Sequence, residues 1–315
     1  MERHLLDGRI KLRHLQCLLA VAQHGSLQRA AEALSITQPA VSKTIAELEG
    51  LLGVRLFDRG RNGARPTAQA ELFLRHAGAS VSALRQGIDV LSRAVGQTGG
   101  VIEIAVLPTL AAAMMPSVLE TFRREWPGIV VQVHTGANQQ LLTQLKSGEM
   151  TLALGRMSDP EGMAGLTFEH LCATPLCVGV RPEHPLVQQR SVSMGDLAGH
   201  HVILPPHGTI LRHTADSFLR AHGVGTLDDY SELLSMSLAR AMTLRDDVVW
   251  IASEITVQDD LADGVLCALP FATKGTEESI GILWRNDTVP TPPEQTLISA
   301  MREAARVRYG VPGLR

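Results

Sequence analysis

The sequence predicts a multidomain α+β protein in three parts: a small helical domain with a hairpin wing, one long helix, and a larger α/β domain. Three observations predict it. Residues 26–49 read as two short helices joined by a tight turn, and a Gly break and a turn-rich hairpin follow. Residues 67–95 contain no Pro and repeat apolar side chains at steps of three or four. From residue 101 onward, aliphatic strand runs alternate with helical stretches, and the pattern restarts near residue 175.

The 315 residues are 45% hydrophobic and 19% charged, which suits two or three packed domains and excludes a mainly disordered chain. The net charge of −3 hides a division. Residues 1–66 carry ten Lys and Arg against six Asp and Glu, and the remaining 249 carry nineteen against twenty-six. A basic amino-terminal end on an acidic body suits nucleic-acid binding by that end. The opening residues lack a signal-peptide pattern, and no stretch approaches ~20 continuous apolar residues, so no membrane span is expected. Cys17, Cys172, Cys177 and Cys267 are sparse and fit a reduced, cytoplasmic protein.

In the helical pair, Ala30, Ala31 and Leu34 form the apolar stripe of the first helix, and Ser26 is placed to cap it. The turn is Ser35-Ile36-Thr37, with Ile36 expected as a buried plug. Thr37 is the expected cap of the second helix, whose first turn accommodates Pro39. Val41, Ile45 and Leu48 face the core, which leaves Gln38, Pro39, Ser42 and Lys43 outside. Amide, hydroxyl and ammonium groups on one helix face suit base edges and phosphates in a major groove. Ser26 and Thr37 complete this surface. Arg59, Arg61 and Arg65 then fall on the hairpin wing, where they suit phosphates or a minor groove.

These residues resemble the amino-terminal domain of the LysR-type transcriptional regulators. The resemblance rests on Leu15-Gln16, Ala20-Val21-Ala22, Gly25-Ser26-Leu27 and Ala30-Ala31-Glu32-Ala33-Leu34. It continues through Thr37-Gln38-Pro39-Ala40-Val41-Ser42, Ile45, Leu48-Glu49, Leu52-Gly53 and Leu56-Phe57-Asp58-Arg59. One departure is clear: Pro66-Thr67-Ala68-Gln69-Ala70 lacks the Gly that the family usually places after the wing.

The long helix carries Phe73, Ala77, Val81, Leu84, Ile88 and Leu91 as an apolar seam. A seam on a helix that bridges two domains is expected to pair two subunits, as symmetric DNA readers require. The resemblance implies the same, and beyond it a dimer of dimers. Residues 96–100, Gly-Gln-Thr-Gly-Gly, read as a hinge. The expected domains are therefore 1–66, 67–95 and 96–315.

For the last of these, the resemblance implies a two-lobed effector-binding domain of the type II periplasmic-binding-protein shape. Lobe I takes about 101–173 plus 275–315, and lobe II about 174–274. Ligands of open α/β sheets sit beyond the carboxyl ends of strands, near helix N-termini. That rule selects Thr109 and the amide of Leu110, Asn138 in its turn, and Pro205 and Thr209 in the loop after residue 204. Thr109 matches the place of an inducer-contacting Ser or Thr in the family. Trp250 is a further candidate, and Arg156, at a strand end, suits either an anionic effector or an interface carboxylate.

Further stretches resemble a narrower group, the PcaQ-type regulators of protocatechuate breakdown. They are residues 12–16, 72–79, 83–86, 155–156, 163–165 and 168–171. This group implies an inducer that is a ring-cleavage acid such as a carboxymuconate; a neighbouring sugar-responsive group shares several of these stretches. The resemblance as a whole implies double-stranded DNA, a small carboxylic acid and RNA polymerase as partners of a homotetrameric activator. No cofactor, metal site or membrane partner is expected. His200, His201, His207 and His213 match no metal-ligand spacing, and Cys172 with Cys177 lacks the marks of an activated thiol. The rival class, an enzyme or solute-binding protein on the α/β body, lacks a recognisable nucleophile motif, P-loop or dinucleotide fingerprint.

Overall fold

A computed structural model describes residues 9–60, 63–94 and 100–310. Arg61 and residues 96–99 of the expected hinge lie outside the described residues. The chain opens with three helices, α1 (Leu12–His24), α2 (Leu27–Ala33) and α3 (Gln38–Leu52), and an antiparallel hairpin of β1 (Phe57–Gly60) and β2 (Gly63–Pro66). The core of this domain is built by Leu18 and Val21 of α1, Ala30 and Ala31 of α2, Val41, Ile45 and Leu48 of α3, and Leu56 ahead of the hairpin. The 3.6-residue period of α3 thus buries the stripe read from sequence.

Ile36 corrects one expectation. It is 44% exposed instead of a buried plug. The chain leaves α2 through Ser35 in a left-handed conformation (φ 55°), and the Ile36 N–H closes the helix end on the Ala31 carbonyl at 3.0 Å. That closure carries the Ile36 side chain to the surface.

The wing is held in two places. The Glu49 carboxylate accepts the Leu56 and Phe57 N–H groups at 2.7 and 3.3 Å. The Gly25 carbonyl, at the left-handed end of α1, accepts the Ala64 N–H at 2.9 Å. A Cβ on Gly63 (φ 108°) would stand 2.3 Å from that same carbonyl oxygen, so only Gly permits the approach.

Helix α4 (Ala68–Ala94) starts at Thr67, whose hydroxyl accepts the Ala70 N–H at 3.2 Å. Two residues of the expected dimer seam have another use. Ala77 is buried in the core of its own amino-terminal domain, and Phe73 packs partly against that core. Val81 is half-buried and Leu84 exposed, and the side chains of Ile88 and Leu91 lie outside the description. The first turns of α4 complete the helical domain, because three short helices alone do not close their core.

The remainder alternates strand and helix. In order come β3 (Val101–Val106), α5 (Pro108–Glu125), β4 (Val130–Thr135), α6 (Asn138–Ser147), β5 (Leu152–Arg156), α7 (Pro160–Met163), β6 (Leu166–Thr174) and β7 (Leu176–Val180). Then follow β8 (His201–Leu204), α8 (Ile210–Ala221), β9 (Tyr230–Glu232), α9 (Met236–Arg245), β10 (Val248–Ser253), α10 (Glu254–Ala262), β11 (Cys267–Ala268), β12 (Glu278–Arg285) and α11 (Pro292–Tyr309). The described strands of this region form two five-stranded sheets, ordered β4-β3-β5-β12-β6 and β11-β7-β10-β8-β9. Pairing is parallel across β4-β3-β5 and across β10-β8-β9, and β12 and β7 run antiparallel to their neighbours.

The chain crosses between the sheets at Pro175 and again between β11 and β12. Buried hydroxyls tie the crossings: Thr174 Oγ1 accepts the Ile255 N–H at 3.2 Å, and Thr276 Oγ1 accepts the Leu176 N–H at 2.9 Å. Helix α4 meets the first lobe at the end of α6, where a Cβ on Gly78 would lie 2.0 Å from the Ser147 carbonyl oxygen. Gln23 Nε2 donates to Glu149 at 2.7 Å beside this contact.

Replacing Gly63 by Val should cost the amino-terminal domain about 1–3 kcal/mol, through strain and the clash with Gly25. Loss of exchange protection at Ala64, with that at α5 and α11 unchanged, measures it.

Candidate functional site

Two surfaces collect the residues selected from sequence. On α3, Pro39 and Lys43 are exposed opposite the buried Val41–Ile45–Leu48 stripe, and Gln38 and Ser42, half-buried, flank it; each pair is one helical turn apart. Thr37 occupies the cap position of α3 without a side-chain cap bond. Ser26 Oγ accepts the Arg29 N–H at 3.5 Å at the start of α2. Arg65 is exposed on β2, and its cross-strand neighbour is Asp58, which places a carboxylate beside the cation. Arg59 lies on β1.

The second surface is the cleft between the two sheets. The chain after β3 and the first turn of α5 supply Leu107, Pro108 and Thr109, and the start of α6 presents Ala137 and Asn138. The loop after β8 brings Pro205, Pro206 and Thr209, and β10 supplies Trp250 through Ser253. Leu233, Leu234 and Met236 close one side. The space, mouth included, is about 550 Å³, which is within the range of small-molecule sites. The structure therefore brings Thr109, Asn138, Arg156, Pro205, Thr209 and Trp250 together. Leu110 is the exception. It is fully buried in the lobe core, and its N–H is taken by the Leu107 carbonyl at 2.9 Å. The helical turn that aims Thr109 at the cleft turns Leu110 away from it.

Polar groups in the cleft are paired with one another. The Asn138 amide brackets the Arg156 backbone, donating to its carbonyl at 3.1 Å and accepting its N–H at 3.0 Å. Arg156 Nη2 donates to Thr109 Oγ1 at 3.3 Å, and the guanidinium forms an ion pair with Glu278. Both partners are buried, at 5% and 7% exposure. Burial lowers the Arg156 pKa, and the Glu278 charge raises it in part. Thr214 Oγ1, on α8 of the other lobe, donates to Glu278 Oε1 at 2.9 Å. Sequence reasoning missed Glu278 and Thr214. The alternation of β12 sets Glu278 on the face of Ile280, the residue opposite Arg156, but that pairing becomes visible only with the sheet order.

The loop over the cleft is braced as well. Thr209 caps α8 by accepting the Arg212 N–H at 3.1 Å, and its hydroxyl donates to the Pro206 carbonyl at 2.8 Å. Arg212 donates to the Pro205 carbonyl, Asp216 and Glu232. Glu232 accepts the His207 N–H at 3.0 Å, and this backbone bond, then Arg212, holds its carboxyl below the ordinary 4.5. The cleft mouth opens into a groove whose other walls include Gln23 and Leu74 of the amino-terminal domain.

Two family models match the chain: "Bacterial regulatory helix-turn-helix protein, lysR family" over residues 12–71, and "LysR substrate binding domain" over 96–306. The chain belongs to the LysR family of transcriptional regulators. It is 40% identical over 301 residues to the transcriptional regulator PcaQ of Agrobacterium fabrum, covering 96% of this chain and 97% of that one. It is 41% identical over 305 residues to the uncharacterised regulator YdcI of Escherichia coli, covering 96% and 99%. Among solved structures, full-length LysG of Corynebacterium glutamicum, with bound effector Arg, aligns with a TM-score of 0.63 at 19% identity, covering 94% and 98%. A full-length OxyR variant of Pseudomonas aeruginosa gives 0.61 at 21%, covering 95% of each chain.

The family and the curated relatives are regulators and not enzymes. One hydrogen-bonded trio in this regulator has the order of a hydrolytic triad: Asp229 to His201 Nδ1 at 2.6 Å, and His201 Nε2 to Ser231 at 2.9 Å. It lies on the β8–β9 edge of the second sheet, outside the cleft lining. Burial pushes the Cys172 thiol up to about 11 and the Cys177 thiol up to about 12, against thiolate chemistry. Among the described residues, no group of three or more His, Cys, Asp and Glu is placed to hold a metal, and no helix is long and apolar enough to cross a membrane.

Arg156→Met should destabilise the regulator by about 3–5 kcal/mol, because Glu278 is left buried without a cation; pairing it with Glu278→Met should recover most of the loss in urea unfolding. The Glu232 tie follows the depressed-carboxyl sign. It is full above pH 4.5 and lost as pH falls through the lowered value, so the protection factor of the His207 amide, its exchange relative to an unprotected amide at the same pH, should fall there.

Proposed function

We propose that the regulator reads operator DNA as a homo-oligomer and responds to a small carboxylic acid of aromatic catabolism. Its domains divide the work as residues 1–66, 67–95 and 96–315. Gln38, Pro39, Ser42 and Lys43 face the major groove, with Ser26 and Thr37 at the helix starts; Arg59, Arg61 and Arg65 hold phosphates or the minor groove. Two subunits pair through the later part of α4, from Val81 and Leu84 through Ile88 and Leu91, and two dimers assemble on adjacent half-sites. The acid binds in the cleft against Thr109 and Arg156, under Thr209 and over Trp250. It favours one arrangement of the lobes, and the dimers then alter their hold on DNA and on RNA polymerase.

The 40% identity to PcaQ over nearly the full length supports the catabolic assignment. The cleft lining favours an acid over a sugar. Pro108, Pro205, Ile210, Leu233, Met236 and Trp250 offer apolar contact, and the polar groups are too few and too engaged for a polyhydroxylated ligand. A cytoplasmic location follows from this function.

Titrating thermal stability with protocatechuate, carboxymuconate and galactose tests the effector class. A hundredfold excess over Kd adds about 2.7 kcal/mol. A response to the acids alone supports the reading, and a response to the sugar alone overturns it. Ser42→Ala should relax discrimination between operator and random DNA. Arg65→Ala should weaken both and flatten the slope of log K against log salt by about one. Fluorescence anisotropy over a salt series separates the two.

A further inference from the structure

The cleft of this regulator is backed by a carboxylate of the same chain. Arg156 is the cation among the lining residues, and its charge is already met by Glu278. Glu278 does not itself line the open space; it reaches the guanidinium from the start of β12, behind the cleft wall. On the open side, Arg156 keeps one hydrogen bond, from Nη2 to Thr109 at 3.3 Å. The backbone of Arg156 is fixed by Asn138, so the residue as a whole cannot leave for another partner without breaking two bonds.

We infer that Glu278 is the resident counter-ion of the effector site, and that an effector carboxylate binds by taking Arg156 from it. This rests on the cleft being the effector site. A carboxylate entering from Thr109 meets a guanidinium already neutralised by Glu278, so it gains little over an uncharged isostere until that pair opens. When it opens, Glu278 keeps the Thr214 hydroxyl on α8, a helix of the other lobe. The exchange therefore removes the charged tie within one lobe and leaves Glu278 held by its existing contact to the other lobe. An uncharged ligand of the same shape fills the apolar cleft and leaves both ties alone. Glu278 thus sets how strongly the site distinguishes acids from neutral molecules, and Thr214 carries the difference to the second lobe.

The test uses the full chain and a minimal pair of probes, benzoate and benzamide, with affinities from thermal shift titration. For the unaltered regulator, the two Kd values should agree within about threefold. Glu278→Gln frees the cation and should tighten benzoate at least tenfold and change benzamide less than threefold. Glu278→Gln combined with Arg156→Gln should abolish the preference. Should Glu278→Gln not fold, Glu278→Asp loosens the pair by one methylene, and the benzoate preference should rise at least threefold. The inference is overturned if the benzoate-to-benzamide ratio is the same with and without Glu278, if the unaltered chain already prefers benzoate tenfold, or if neither probe binds Glu278→Gln. Failure of the effector reading looks different: the ratios change as stated, yet benzoate leaves operator binding untouched.

Discussion

A guanidinium removed from water must be neutralised, and the source of its counter-ion decides what it joins. This constraint recurs through the α/β part of the regulator. Arg156 takes Glu278 from a strand that arrives late in the chain, Arg212 takes Asp216 and Glu232, and Arg285 takes Asp287. Asp216 and Asp287 are local partners and brace single elements. Glu278 and Glu232 are distant ones. The first closes the sheet of lobe I against a helix of lobe II, and the second pins the loop over the cleft. The cleft is therefore shaped by charge satisfaction on both sides, while its floor and walls are apolar.

The amino-terminal domain obeys a different constraint, close approach of backbone. Its wing reaches the end of α1 only because residue 63 lacks a side chain where it meets the carbonyl of the left-handed Gly25, and Glu49 commits its carboxylate to two wing amides. Helix α3 thus carries the exposed face of Pro39 and Lys43 and also, one turn before its end, the clamp that fixes the hairpin relative to that face. A ligand for both surfaces meets them in one fixed geometry.

Much of this was legible in the sequence, where a periodic pattern meets one core. The stripe of α3 and the aliphatic strands β3, β8 and β10 follow directly from spacing. Short or polar elements were harder. Tyr230–Glu232 pairs as an edge strand of three residues, too short for its spacing to stand apart from helix α9, which begins at Met236. Helix α10 and the nine-residue β6 carry too mixed a pattern to stand out. The site was half legible. The strand-end rule collected Thr109, Asn138, Thr209 and Arg156, because it depends on local chain order. Leu110, Phe73 and Ala77 were misplaced, since which side of a helix a lobe or domain covers is a tertiary fact. Glu278 was invisible for the same reason: it lies 122 residues from Arg156 in the chain.

The contact between Gly78 and Ser147 has one more consequence. A helix that turns about its axis by one residue sweeps ~100°. At Gly78 such a turn brings the Cβ of Ala77 toward a carbonyl oxygen that leaves no room even for a methyl group. The long helix therefore has a phase mark against lobe I, a single angular setting at which the two surfaces mesh. Reorientation of the amino-terminal domain cannot proceed as a smooth roll along this seam; it requires the seam to part and re-engage, which makes the arrangement of the domains discrete.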